Sequence, residues 1–226
     1  MRNRFAPIAL VATLLVCLAG VRAEARSDDR NDAAASNAAA LRELLEGANG
    51  RREAWTAAPS LVIVTSVMDY TSGDLMNGYA ATAEQLTEQE RDALVADLTQ
   101  GLSELTGGQL KAFADVRVEL VSEGQTVKVL RAGQIVAGRY RGVQSKTGSI
   151  GYGGRMTRGS QITAAAVIID RDADRDQKQQ RVIRTHELGH ALGYNHVESR
   201  PSIMNPRAGG GLTDFDREAL RAGYLR

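Results

Sequence analysis

The chain is nearly devoid of cysteine and of histidine. Its one cysteine, Cys17, lies in an apolar stretch near the N-terminus, and its three histidines all fall between positions 186 and 196. That apolar stretch, Ile8 to Val21, has about 14 residues, fewer than the roughly 20 a membrane-spanning helix needs. Arg2 and Arg4 precede it and Val21-Arg22-Ala23 closes it, so residues 1–23 read as a secretory leader cleaved after Ala23. Cleavage there leaves 203 residues with no cysteine, which excludes disulfides despite export; the fold must rest on its core and on any ion it binds. The remaining chain has no charge excess either, with 25 basic residues against 27 acidic ones. That balance argues against a nucleic-acid or membrane-surface partner. No glycine-rich run has phosphate-loop spacing ahead of Lys-Ser or Lys-Thr.

The rest of the chain fits one domain with a sizeable core. Residues 24–59 are polar and alanine-rich, and only Leu41, Leu44 and Leu45 suggest a short amphipathic helix, ended by Gly47 and Gly50. This segment reads as a flexible N-terminal extension or a propeptide, with the packed domain spanning 60–226. Leu61 to Val67 is a β-branched run suited to a buried strand. Thr87-Glu88-Gln89-Glu90 is a capping box, and Leu94, Val95, Leu98, Leu102 and Leu105 put one face of the following helix inward. Val116, Val118 and Leu120 alternate with charges and predict a half-buried strand; Val127 to Leu130 and Ile135 to Ala137 are further short strands. Residues 138–160 are glycine-rich and read as a surface loop, or alternatively as the rim of a cleft. Ile162 to Asp170 is an apolar strand. The order of elements predicts an α+β fold with a twisted mixed sheet and covering helices.

The informative stretch follows, His186-Glu187-Leu188-Gly189-His190-Ala191-Leu192-Gly193-Tyr194-Asn195-His196. On a helix, His186 and His190 lie four residues apart on one face, and both imidazoles can reach one cation at roughly 2.0–2.1 Å. Glu187 lies about 100° further round, within reach of the open side of such an ion. Gly193 can end the helix in the left-handed conformation, so that the chain turns and returns His196 as a third ligand. Three neutral nitrogens plus a water make an open tetrahedral Zn²⁺ site of the catalytic kind.

The pattern H-E-x-x-H-x-x-G-x-x-H, with Ser202-Ile203-Met204-Asn205-Pro206 downstream, resembles the metzincin zinc metallopeptidases and their Met-turn. Met204 comes eight residues after His196, and that spacing, with Pro206 two residues later, is closest to the matrixin branch. The tail from Leu212 to Tyr224 is similar to the end of a matrixin catalytic domain. The resemblance covers roughly residues 162–226. It implies a central zinc helix, a small C-terminal subdomain with the Met-turn and a final helix, and Glu187 as general base and acid in peptide hydrolysis. It also implies an edge strand able to hold an extended peptide, just before the strand that precedes the zinc helix. Two family features have no residues here: the mature chain lacks a propeptide cysteine, and no histidines are left for a second, structural zinc site. At Pro206 this chain also lacks the tyrosine that some metzincin branches carry.

Asp170, Asp172, Asp174 and Asp176 alternate ahead of the zinc helix. A calcium loop would need glycine at the sixth position and glutamate at the twelfth, where this chain has Arg175 and Arg181. The run reads as a solvated loop, with Asp176 capping the zinc helix and Gln179 as its partner. The family resemblance keeps Ca²⁺ open as a second ion. The function these residues point to is secreted, zinc-dependent cleavage of polypeptide. The other readings are a binding module clamped by zinc, and a zinc hydrolase acting on cell-wall or other non-protein amides.

Overall fold

The computed structural model describes residues 28–47, 50–175, 179–207, 210–221 and 224. The leader and Asp176 lie outside these. The order of elements is α1 (Asp28–Leu45), β1 (Ser60–Val64), β2 (Ser66–Asp74), β3 (Gly78–Gln85), α2 (Glu88–Leu105), β4 (Val116–Glu119), β5 (Thr126–Val127), β6 (Gln134–Arg141), α3 (Val143–Thr147), β7 (Gly151–Arg158), β8 (Gln161–Asp170), α4 (Gln180–Leu192) and α5 (Asp214–Arg221). The architecture is α+β, with five helices among the described residues and one curled mixed sheet of eight strands.

The sheet is built outward from β6 and β8, which run parallel with Ile135 opposite Ala165 and Tyr140 opposite Asp170. On the other side of β6 lie β1 and β2, two halves of one strand broken at Thr65. The sheet divides at that break. β4 continues it parallel to β1, while β3 continues it antiparallel to β2 and β5 antiparallel to β3. Ser66 marks the division, its hydroxyl donating to Val121 O at 2.6 Å and accepting from Val121 N at 3.2 Å.

Strands β1, β6 and β8 are apolar along nearly their whole length because both faces of the sheet are covered. Leu61, Ile63, Ile135, Ala165, Val167 and Ile169 face α2 and α4, meeting Leu94, Leu98, Leu102, Leu188 and Leu192. Their alternate neighbours Val62, Val64, Val136, Ala166 and Ile168 face the other way, into a second core with Tyr79, Val127, Val129 and Val143. Helix α2 starts at the expected capping box, Thr87 accepting from Glu90 N and Glu90 from Thr87 N. Its expected leucines are buried.

Four expectations change. First, β4 forms but is not half-buried: Val116, Val118 and Leu120 are 43%, 50% and 75% exposed, because β4 is an edge strand with no helix over those residues. Second, residues 138–160 are not a loop but the end of β6, the short helix α3, and β7, which pairs antiparallel with β8. Third, the aspartate run is solvated only in part: Asp172 is exposed, but Asp170 and Asp174 are not. Asp174 is fully buried, and its two oxygens accept from Arg184 at 2.8 and 2.7 Å and from Arg139 at 2.6 Å. Asp170 is buried too, accepting from the backbone N–H groups of Gln144, Asp172 and Ala173. Gln179, at the start of α4, makes no side-chain cap. Fourth, the stretch read as a flexible extension or a propeptide is docked where it is described: Ala40, Leu44 and Trp55 are buried in the core beside α4 and α5.

The buried ions tie the layers together. Arg139 on β6 also donates to Glu90 of α2 at 2.6 Å, and Arg184 on α4 to Asp97 of α2 at 2.7 Å. An unpaired charge at such depth would cost roughly several kcal/mol, so Arg139 fixes α2 against the sheet and Arg184 fixes α4 against α2. Burial alone would raise the Glu90 carboxyl, but hydrogen bonds from Arg139 and Thr87 outweigh it and hold the group at about 2 against an ordinary 4.5. The folded state therefore favours charged Glu90, and that stabilisation is complete above 4.5 and lost as pH falls toward 2. The stability difference between the native chain and a Glu90→Gln variant should be constant at neutral pH and shrink across this acid window. Denaturant titrations at several pH values check it; a pH-independent difference would contradict the pairing.

Candidate metal centre

Helix α4 carries His186, Glu187 and His190, and it ends as the spacing predicts. Gly193 takes φ 107°, its N–H bonding back to the last turn. A Cβ there would overlap Glu53 O, so glycine is required by close approach as well as by conformation. The chain reverses at Tyr194 and Asn195 and brings His196 beside the helix. His196 Nε2 lies 3.2 Å from His186 Nε2 and 3.0 Å from His190 Nε2. Among the described residues, this trio is the group of His, Cys, Asp or Glu side chains placed to share an ion.

The tautomers follow from the partners. His186 Nδ1 is 2.7 Å from Ile203 O and His190 Nδ1 is 2.9 Å from Tyr194 O. A carbonyl only accepts, so each Nδ1 carries the proton and each Nε2 presents a lone pair. Burial lowers the affinity of all three rings for a second proton, and brings His190 to about 3 with the help of its two histidine neighbours. The rings are therefore neutral, and His186 and His190 each turn a bare Nε2 toward His196, whose own ring proton no Nδ1 partner fixes. The residues fit zinc: tetrahedral coordination at about 2.0–2.1 Å places ligand nitrogens roughly 3.3 Å apart.

Glu187 is 5% exposed, and burial pushes its carboxyl up to about 8 against a hydrogen bond from Gly153 N–H that lowers it. A cation at the three nitrogens would act in the opposite sense, favouring carboxylate. The carboxyl has room only because β7 runs against α4 as bare backbone. A Cβ on Gly151 would overlap the Glu187 carboxyl, and one on Gly153 would overlap Glu187 O and His190 Cβ. These two glycines belong to the run that reads as a loop; in a strand beside a helix they mark close approach instead.

Met204 packs from the opposite side, its sulfur against Gly189 in the middle of the motif. Its turn is held by Asp216 of α5, which accepts from Ser202 Oγ at 2.5 Å, Ile203 N at 2.9 Å, and the N–H and hydroxyl of Thr213 at 2.7 and 2.8 Å. Asp216 thus fixes the carbonyl that orients His186, a role its sequence position did not reveal. The three histidines and Glu187 open onto a cleft of about 510 Å³, walled by Ile150, Gly151 and Gly153 on one side and Ile203, Asn205 and Pro206 on the other. Val182 and Ile183 of α4 also line it. Among the described residues, the outer edge of β7 has no partner in the sheet.

The chain matches no protein-family model and no curated protein sequence. Gly153→Ala should destabilise the fold by about 1–3 kcal/mol, the usual range for forcing atoms into a packed contact. Gly211→Ala, where a Cβ meets open space, should change stability by less than about 0.5 kcal/mol. Urea unfolding of both variants is the check, and equal stabilities would contradict the close approach of β7 to α4.

Proposed function

We propose that the chain is an exported zinc endopeptidase of metzincin type, with the motif spacing of the matrixin branch. The observation that carries this reading is the convergence of three histidine Nε2 atoms in a cleft that also holds a buried glutamate. His186, His190 and His196 would hold the ion, and a zinc ion there supplies Lewis acidity, lowering the pKa of a water to about 7 and polarising a carbonyl. Glu187 takes the proton from the attacking water and delivers it to the leaving amine as the C–N bond breaks. Its burial suits that work, because a carboxylate kept from water is a stronger base and transfers its proton more readily near neutral pH.

The substrate class follows from the cleft. Its β7 wall offers a free strand edge, and an extended polypeptide can pair there through main-chain hydrogen bonds. Ile150, Val182, Ile203 and Pro206 make the surroundings of the scissile bond apolar. The basic and apolar leader supports export. No helix among the described residues is long and apolar enough to cross a membrane. Glu187 itself favours a catalytic centre over a metal clamp, since a clamp needs no base.

Glu187→Gln should lower kcat/KM on a denatured protein substrate by roughly 10²–10⁴-fold, the range for loss of a general base, while one zinc per chain remains bound. Mass spectrometry of newly formed peptide termini and metal analysis of the same sample report both quantities. Undiminished cleavage by the variant would overturn the assigned role of Glu187.

A further inference from the structure

The three histidines are not held equally. His186 and His190 sit on a helix, and each ring is oriented by a carbonyl at its Nδ1. His196 is exposed, and among the described residues its ring has no hydrogen bond except to the other two Nε2 atoms. Its position therefore depends on the backbone between Gly193 and Val197.

That backbone is gripped from behind by the N-terminal segment and by one arginine of β7. Asn195 N donates to Leu44 O at 2.9 Å, and its side-chain amide donates to Glu46 O at 2.8 Å. Glu43 accepts from Glu198 N at 3.0 Å and Ser199 Oγ at 3.1 Å. Arg155 spreads its fork across the whole junction: Nε to Glu53 at 2.6 Å, one terminal nitrogen to His190 O at 3.0 Å, the other to Asn195 Oδ1 at 2.9 Å. Arg155 and Glu53 are both largely buried. A planar guanidinium can serve three acceptors in these directions at once, and an ammonium cannot. Trp55 Nε1 caps Ala191 O at 3.0 Å, so the same segment also closes the end of α4.

We infer that residues 43–46 and 53–55 form a strap that sets the third metal ligand, with Arg155 as the central positioning residue between them. The strap is then part of the working metal centre and not a propeptide to be discarded. This rests on the metal-centre reading above.

Zinc affinity, measured by competition with a chromogenic chelator, tests the inference on the full exported chain and on Arg155→Lys, Asn195→Ala and His196→Ala. Circular dichroism verifies folding, and the visible spectrum of the Co²⁺-loaded protein reports the ligand set. Arg155→Lys and Asn195→Ala should each lower zinc affinity about ten- to a hundredfold, the range for loss of groups that orient a ligand, and should shift the Co²⁺ bands toward those of His196→Ala. In a His196→Ala background, Arg155→Lys should add almost nothing, because the ligand it positions is already gone. Should Arg155→Lys not fold, Asn195→Ala decides alone, since it removes only a loop side chain. Wild-type affinity and spectra in folded variants would overturn the inference while leaving the metal centre intact. So would an equal loss from Arg155→Lys with and without His196, or an active species that lacks residues 43–55. A native chain that takes up no zinc would overturn the metal-centre reading and the strap with it.

Discussion

Lone pairs on imidazole nitrogens repel when they face one another at about 3 Å, and a shared cation turns that repulsion into coordination. His186 and His190 cannot relieve it by moving their protons, because Ile203 O and Tyr194 O hold those protons on the far side of each ring. The surrounding structure holds the three rings in this geometry. Helix α4 supplies two of the nitrogens at a fixed rise, and the turn at Gly193 returns the third. Everything that packs on α4 therefore bears on the centre.

Three contacts hold α4. On one side, β7 approaches as glycine backbone at Gly151 and Gly153, close enough to bury Glu187 beside the histidines. On another, Met204 presses against Gly189, in a turn that Asp216 fixes through Ser202 and Ile203. Behind, Arg184 locks the helix to Asp174 and Asp97, and Asp174 in turn holds Arg139 of β6. Paired buried charges contribute little net stability, but they penalise any slip of the helix along the sheet. A site that must keep three nitrogens to within tenths of an ångström benefits more from that penalty than from added apolar area.

What was legible in the sequence was local. The histidine spacing, the glycine that ends the helix and the Thr87–Glu90 capping box each lie within a few turns of chain, and all three stand as read. The continuous apolar run of β8 was equally plain, since a strand covered on both faces has no alternation to hide. What was not legible depends on partners far away in sequence. Asp174 looks like one of several loop aspartates until Arg139 and Arg184 arrive from 35 and 10 residues away. Gly151 and Gly153 look like loop glycines because nothing nearby announces the helix that will lie against them. Val116 and Val118 alternate as a half-buried strand should, yet β4 lies at an edge and no helix reaches them. The segment before Ser60 is polar by composition, and its few apolar groups, Leu44 and Trp55, are the ones that dock.

The account comes down to one ion on three imidazoles. X-ray absorption at the zinc edge of the purified chain measures that directly. It should give three nitrogen ligands and one oxygen at about 2.0–2.1 Å, with the imidazole scattering pattern of histidine. A metal-loaded sample whose zinc sees fewer than three imidazoles, or a chain that binds no stoichiometric zinc at all, would contradict it.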